Sequence, residues 1–159
     1  MSEEFTSLIT SLPLFKGYTT NGAQRILDAG DIKTLPAGEV LFKEGDPPGS
    51  VLLVLKGKLQ VYVERQGKDM ILTDSPPSTI LGELSVLCGM PRSASVRVIE
   101  DATVLEWSAA EFRGLLVKDV FLSERIFRSS LRTLIDKERS LIDSLTQPKP
   151  SEQSAASKQ

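Results

Sequence analysis

Between Asp31 and Trp107 the chain is a ladder of short β-forming runs separated by turn residues, and few architectures accept such a pattern. The runs are DIKTLPAG, EVLFKEG, SVLLVLKG, LQVYVERQG, DMILTDSPP, SASVRVIED and TVLEWS. A repeat of roughly ten residues is the rhythm of an all-β sandwich, barrel or jelly roll. Alternation supports the reading, because Leu59, Val61 and Val63 share one face while Gln60, Tyr62 and Glu64 share the other. Gly57 within Lys56 to Lys58 and Gly67 within RQGKD sit where positive φ is expected, which predicts a hairpin at each.

Helices flank this ladder. Phe5, Leu8, Ile9 and Leu12 recur at helical spacing, and a second amphipathic piece covers Ala23 to Ala29, with Thr20 or Asn21 as its cap and Gly30 closing it. Pro13 ends the first helix. Ser108 followed three residues later by Glu111 matches a capping box, so a helix is predicted from Ala109 through Leu116. A longer one follows from about Val120 to Leu145. Along it Phe127, Leu131, Leu134, Leu141 and Leu145 keep the alternating four-three spacing of a coiled-coil seam, with Glu138 at the missing position. That stripe suits packing on the chain's own sheet or on a second copy. The expected division is 1–30 helical, 31–108 β, 109–147 helical, and 148–159 a disordered tail, because PKPSEQSAASKQ holds no core-forming residue.

Composition narrows the function. With 159 residues, 40% of them hydrophobic, the chain can bury one core. A net charge of −2 gives no electrostatic footprint for nucleic acid. The longest apolar run, Val51 to Leu55, is far below the roughly 20 residues of a membrane-spanning helix. Cys88 is the single cysteine and the amino terminus lacks a secretory pattern, which together point to the cytoplasm. Histidine is absent, so the usual zinc sets and the Ser-His and Cys-His nucleophiles are excluded, and no closely spaced carboxylate pair replaces them. The chain reads as a non-enzyme with no metal site.

One stretch departs from ordinary core chemistry: ILGELSVLCGMPRSAS, Ile80 to Ser95. Gly82 and Gly89 frame a helical turn or two over Glu83 to Cys88. Its first amides, on Glu83, Leu84 and Ser85, favour an anion, and Gly82 lets the backbone approach one closely. Arg92 shares parity with Ala94, Val96 and Val98, so its guanidinium starts on the inward side, where a cation requires an anionic partner. Two readings are open on the residues alone. Arg92 pairs with Glu83 as a structural salt bridge, or its planar fork takes two phosphate oxygens while Glu83 accepts from a hydroxyl.

The stretch resembles the phosphate-binding cassette of the cyclic-nucleotide-binding domains, Phe-Gly-Glu-Leu-Ala-Leu followed after a few residues by Pro-Arg-Ala/Ser-Ala. Gly82, Glu83, Leu84 and Ser85 match the first part and Pro91, Arg92, Ser93 and Ala94 the second, within a cassette spanning 81–95. LPAGEVLFKEGDPPGSVLLVLKGKLQVY and ATVLEWSAAEFRGLL also resemble that family, so that roughly Pro13 to Leu145 is covered. Leu81 departs from the aromatic residue and Ser85 from the commoner alanine.

The resemblance implies a mainly β fold, a jelly-roll-like cyclic-nucleotide-binding β-roll with N-terminal helices and two C-terminal helices. It also implies a site in which Glu83 binds the ribose 2′-hydroxyl, Arg92 the cyclic phosphate, and Gly82, Leu84 and Ser85 complete the phosphate shell through the backbone. Ser93 then stands where phosphate or base is touched, beside Ala94. Val86 and Leu87 would be apolar hinge contacts, and Arg128, Ser129, Ser130 and Arg132 are candidates for covering the base. The implied function is a stand-alone sensor or regulatory domain for cAMP, with cGMP as the other ligand, acting through an unidentified effector by helix rearrangement. A homodimer through the last helix is a further expectation, and a ligand-independent interaction scaffold of the same fold is the alternative.

Overall fold

The computed structural model describes residues 2–148. They fall into two compact units that divide after Ile126, and each is described by itself. The expected tail lies, from residue 149 onward, outside the described residues.

The first unit opens with helix α1 (Ser2–Ser11), a 3-10 turn at Pro13–Phe15 and α2 (Thr20–Asp28). Pro13 occupies the first turn of the 3-10 helix, where its missing N–H is of no consequence. The cap of α2 is Thr19, not Thr20 or Asn21 as expected, its side chain accepting from Gly22 N. Gly30 follows α2 for a reason other than left-handed backbone: a Cβ there would meet Glu106 O at 2.5 Å and Trp107 Cδ1 at 2.7 Å. The strands are β1 (Asp31–Leu35), β2 (Val40–Phe42), β3 (Ser50–Arg65), β4 (Lys68–Ser75), β5 (Ile80–Leu81) and β6 (Ser95–Ser108), with helix α3 (Glu83–Cys88) between the last two. Helix α4 (Ala109–Lys118) follows, and α5 (Val120–Thr146) begins in this unit.

All six strands belong to one antiparallel sheet, ordered β1-β6-β3-β4, with β2 added to β6 and β5 to β3. The sheet is rolled but not closed into a barrel. The seven runs account for five of these strands, because two pairs of runs are continuous; the sixth strand, β5, lies in the cassette stretch. Gly57 does take positive φ, +81°, yet the chain runs straight on as β3, and the register with β6 shifts on both sides of Lys56–Lys58. That irregularity is a bulge, not a hairpin. Its effect is visible in the packing. Leu52 and Val54 face one apolar cluster before Gly57, and Leu59 faces the same cluster after it, although the sequence parity has changed. SASVRVIED and TVLEWS likewise join into β6. By contrast, Gln66 at φ +55° and Gly67 at +74° make the expected tight hairpin between β3 and β4.

Strands β3 and β6 carry two cores. An inner cluster within the roll gathers Leu35, Leu52, Val54, Leu59, Val96, Val98, Ala102 and Val104, with Phe42 and Leu81 packed against it. On the opposite face Val51, Leu53, Leu55, Leu105 and Trp107 meet the helices through Phe15, Ile26, Phe112 and Leu122. Each such buried side chain contributes roughly 1.5–3 kcal/mol relative to exposure. Trp107 satisfies its indole N–H on Ile26 O at 3.2 Å. Helix α4 starts on the reciprocal capping box of Ser108 and Glu111 that the spacing predicts, and it runs two residues beyond Leu116.

The described part of the second unit continues α5 to Thr146. Phe127, Leu131, Leu134, Leu141 and Leu145 are 43–83% exposed, so the stripe read from the sequence is an open apolar face of this helix.

Candidate functional site

Strand β5 pairs with Leu52 and Leu53 of β3 and delivers the chain to Gly82 at φ +84°, from which α3 starts. A left-handed residue here turns the strand directly into the helix, and only glycine does so without strain. Gly89 ends α3 at φ +64°, and Met90 N donates back to Ser85 O at 3.0 Å. Glycines therefore frame the helix as the sequence predicts. Val86 is fully buried in the helix-side core with Leu87 packed against it. The polar start of α3 is thus anchored by its apolar end.

Arg92 reaches the same place from the other side. Its backbone is clamped to the loop after β2: Arg92 N donates to Asp46 O at 2.9 Å and Gly45 N donates to Arg92 O at 2.8 Å. Its side chain is 4% exposed. Nη1 donates to Gly82 O at 3.0 Å, and Nη2 donates to Ser50 O at 2.6 Å and Ser50 Oγ at 3.3 Å. The guanidinium carbon lies 4.0 Å over the Phe42 ring. Arg92 Nε is buried and unpaired. These hydrogen bonds run to neutral oxygens, while the Asp46 and Glu83 carboxylates act on the cation through space. Burial is the larger effect and pushes the guanidinium below its usual range, against the opposing pull of Asp46, Glu83 and Glu106.

Of the site residues expected from the sequence, Gly82 meets this cation through its carbonyl and Glu83 acts on it through its charge. Glu83 and Leu84 are half-buried at the start of α3, and Ser85 is buried with its Oγ on Pro91 O at 3.5 Å. Ala94 is buried and Ser93 exposed. Arg128, Ser129, Ser130 and Arg132 lie in the second unit, where Ser130 is buried and the other three are exposed.

Sequence reasoning missed Ser50, Phe42 and Asp46. Ser50 is 42 residues from Arg92, and no local signal announces such a contact. It also missed Arg113 of α4, whose Nη2 donates to Val86 O at 2.8 Å and ties α4 to α3. A separate groove of about 1310 Å³ is lined by α2, α4 and the start of α5, including Arg25, Asp28, Lys118, Asp119, Phe121 and Arg125. None of the cassette residues borders it. Beside it Tyr18 donates to Asp119 Oδ2 at 2.9 Å. Among the described residues no cluster of His, Cys, Asp and Glu is suited to a metal, and no helix is long and apolar enough to cross a membrane.

What this arrangement offers is a buried guanidinium fork with a spare donor, beside a helix start and a carboxylate. Residues 32–119 match the family model described as the cyclic nucleotide-binding domain. The chain is similar to the cAMP-dependent protein kinase regulatory subunit of Emericella nidulans, 30% identical over 112 residues that cover 70% of this chain and 27% of that protein. It resembles the crystal structure of the Thermus thermophilus catabolite activator protein with a TM-score of 0.75 and 25% identity, covering 84% of this chain and 63% of that one. The regulatory domain of Toxoplasma gondii PKA, co-crystallised with cAMP, shares the fold with a TM-score of 0.60 at 22% identity over 71% of this chain and 43% of that one. The chain spans between 5% and 37% of the length of several curated relatives.

Proposed function

The chain belongs to the cyclic nucleotide-binding domain family, and from that premise we propose that it is a regulatory sensor whose ligand is cAMP. The observation that carries the reading is the buried Arg92 guanidinium, hydrogen-bonded to neutral oxygens and left with an unpaired Nε. An arginine so placed is electrostatically incomplete, and a cyclic phosphate supplies both the charge and the paired oxygens that a planar fork accepts.

Under this reading Arg92 holds the phosphate and the ionised Glu83 accepts from the ribose 2′-hydroxyl. The backbone of Gly82, Leu84 and Ser85 closes the shell. Ser93 meets phosphate or base, and the small Ala94 leaves room beside it. Adenine is favoured over guanine because the regulatory subunit to which the chain is similar is cAMP-dependent. The arrangement of 1–30, 31–108 and 109–147 as helical lead, roll and helical output is part of the proposal, as is action in the cytoplasm. No catalytic step belongs to it.

Binding transmits outward because α3 is both part of the phosphate shell and packed through Val86 and Leu87 on the helix-side core. The nucleotide shifts the equilibrium only to the extent that it binds one placement of α3 more tightly than another. The response then passes to an effector protein, with a second copy engaged through the open apolar stripe of α5.

Titration calorimetry with cAMP and cGMP tests the reading. The wild-type chain binds one of them with a Kd in the micromolar range or below, and Arg92→Ala weakens it on the order of a hundredfold, as expected for losing two charge-assisted hydrogen bonds. If neither nucleotide releases heat, the sensor reading fails. The exposed α5 stripe then favours a ligand-independent scaffold.

A further inference from the structure

Two buried side-chain polar atoms among the described residues lack a hydrogen-bond partner, Arg92 Nε and Ser75 Oγ. A phosphate accounts for the first. Ser75 is another matter. It ends β4, is 1% exposed, and stands directly opposite Leu59 in the β3–β4 ladder. Opposed residues of an antiparallel pair share a face. Leu59 in turn stands opposite Val98 of β6, and both belong to the inner cluster. The hydroxyl therefore enters the interior of the roll. Phe42 and Leu81 pack against that same cluster, and Phe42 carries the Arg92 guanidinium on its ring. Both orphaned atoms border one apolar interior.

Within the chain this hydroxyl stabilises nothing, since a buried unpaired donor is unfavourable and alanine fits a strand interior equally well. Its donor and two acceptor sites are available to a guest. Once Arg92 takes the phosphate and Glu83 the ribose, the part of a cyclic nucleotide left to place is the base, whose faces are apolar and whose edge carries donors and acceptors. The faces match Phe42 and Leu81, which are half-buried against the inner cluster. We infer that Ser75 reads the edge of the nucleobase and is a specificity-determining residue of this site; the inference rests on the nucleotide-sensor reading.

The test is calorimetry with cAMP and cGMP on the wild-type chain and Ser75→Ala, with thermal denaturation of both proteins free of nucleotide. The expected result is an unchanged or raised Tm, a three- to tenfold higher Kd for the preferred nucleotide, about the worth of one hydrogen bond, and a ratio of the two affinities shifted at least about threefold. Unchanged affinities, or a parallel loss for both nucleotides, overturn the inference. So does a lowered Tm, which would assign the hydroxyl to the fold. A wild-type chain that binds neither nucleotide removes the underlying reading as well, an outcome distinct from wild type and variant binding alike.

Discussion

The carbonyl oxygen of Gly82 accepts a hydrogen bond of 3.0 Å from Arg92 Nη1, and the same nitrogen occupies the space that a Cβ at position 82 would need. Backbone and guanidinium are thus fitted to each other, and position 82 is constrained twice, by its φ of +84° and by its neighbour.

Gly82→Ala is expected to destabilise the chain by about 1–2 kcal/mol through the left-handed backbone, and to displace Arg92 from its carbonyl partners. Nucleotide affinity falls with it. Denaturant melts combined with calorimetry check both parts; a variant with full affinity would show that the guanidinium position is immaterial to binding.

Arg113 ties α4 to the carbonyl of Val86, the residue that anchors α3 in the helix-side core. A contact that fixes α3 preorganises the backbone of the phosphate shell. Arg113→Met should therefore lower nucleotide affinity by about two- to tenfold, the effect of one lost hydrogen bond. A higher affinity, measured by the same titration, would show that this bond opposes the placement of α3 that the nucleotide prefers.

Tyr18 and Asp119 predict a pH dependence. Burial first, and then the hydrogen bond and charge of Asp119, hold the Tyr18 phenol well above its ordinary value of 10.0. Folding thus favours the neutral phenol, so the stabilisation is complete below pH 10 and is lost as pH climbs towards the folded value. Tyr18→Phe should lower stability by about 1 kcal/mol at neutral pH. The gap between wild type and variant narrows above pH 10, and melts recorded from pH 7 to 11 reveal it; a constant gap would dissociate the phenol from the alkaline loss.

For the second unit the expectation is a concentration-dependent dimer. The seam spans about three heptads and carries Glu138 at one of its positions, so the association is modest. Leu134→Asp should shift sedimentation equilibrium to monomer while the circular dichroism of the β-rich unit is preserved. A wild-type chain that stays monomeric at high concentration contradicts this use of the stripe.

How far the sequence carried varies with the range of the interaction. The frame of α3, the capping box of Ser108 and Glu111, and the inward course of Arg92 are set within a few residues, and all three were legible. Helix α5 ends within a residue of the position its apolar periodicity predicts. Gly57 shows the limit. Its positive φ was legible but not the outcome, because whether such a glycine turns the chain or kinks a continuing strand depends on β6, some forty residues later. The partners of Arg92 were hidden similarly: Ser50 and Asp46 meet it only after the β2–β3 connection folds over the cassette. Ser75 gave no signal at all, since a serine ending a strand is ordinary until its burial is known.

The irregularity at Gly57 also limits how this segment can change over time. Because strand side chains alternate, one residue added or removed there would exchange the faces of the segment that follows, turning Leu59 away from the inner cluster it shares with Leu52, Val54 and Val98. The stretch can accept new residue types one by one, but its length is fixed. Drift among related chains should therefore write itself here as replacements, and leave insertions and deletions to the exposed loops.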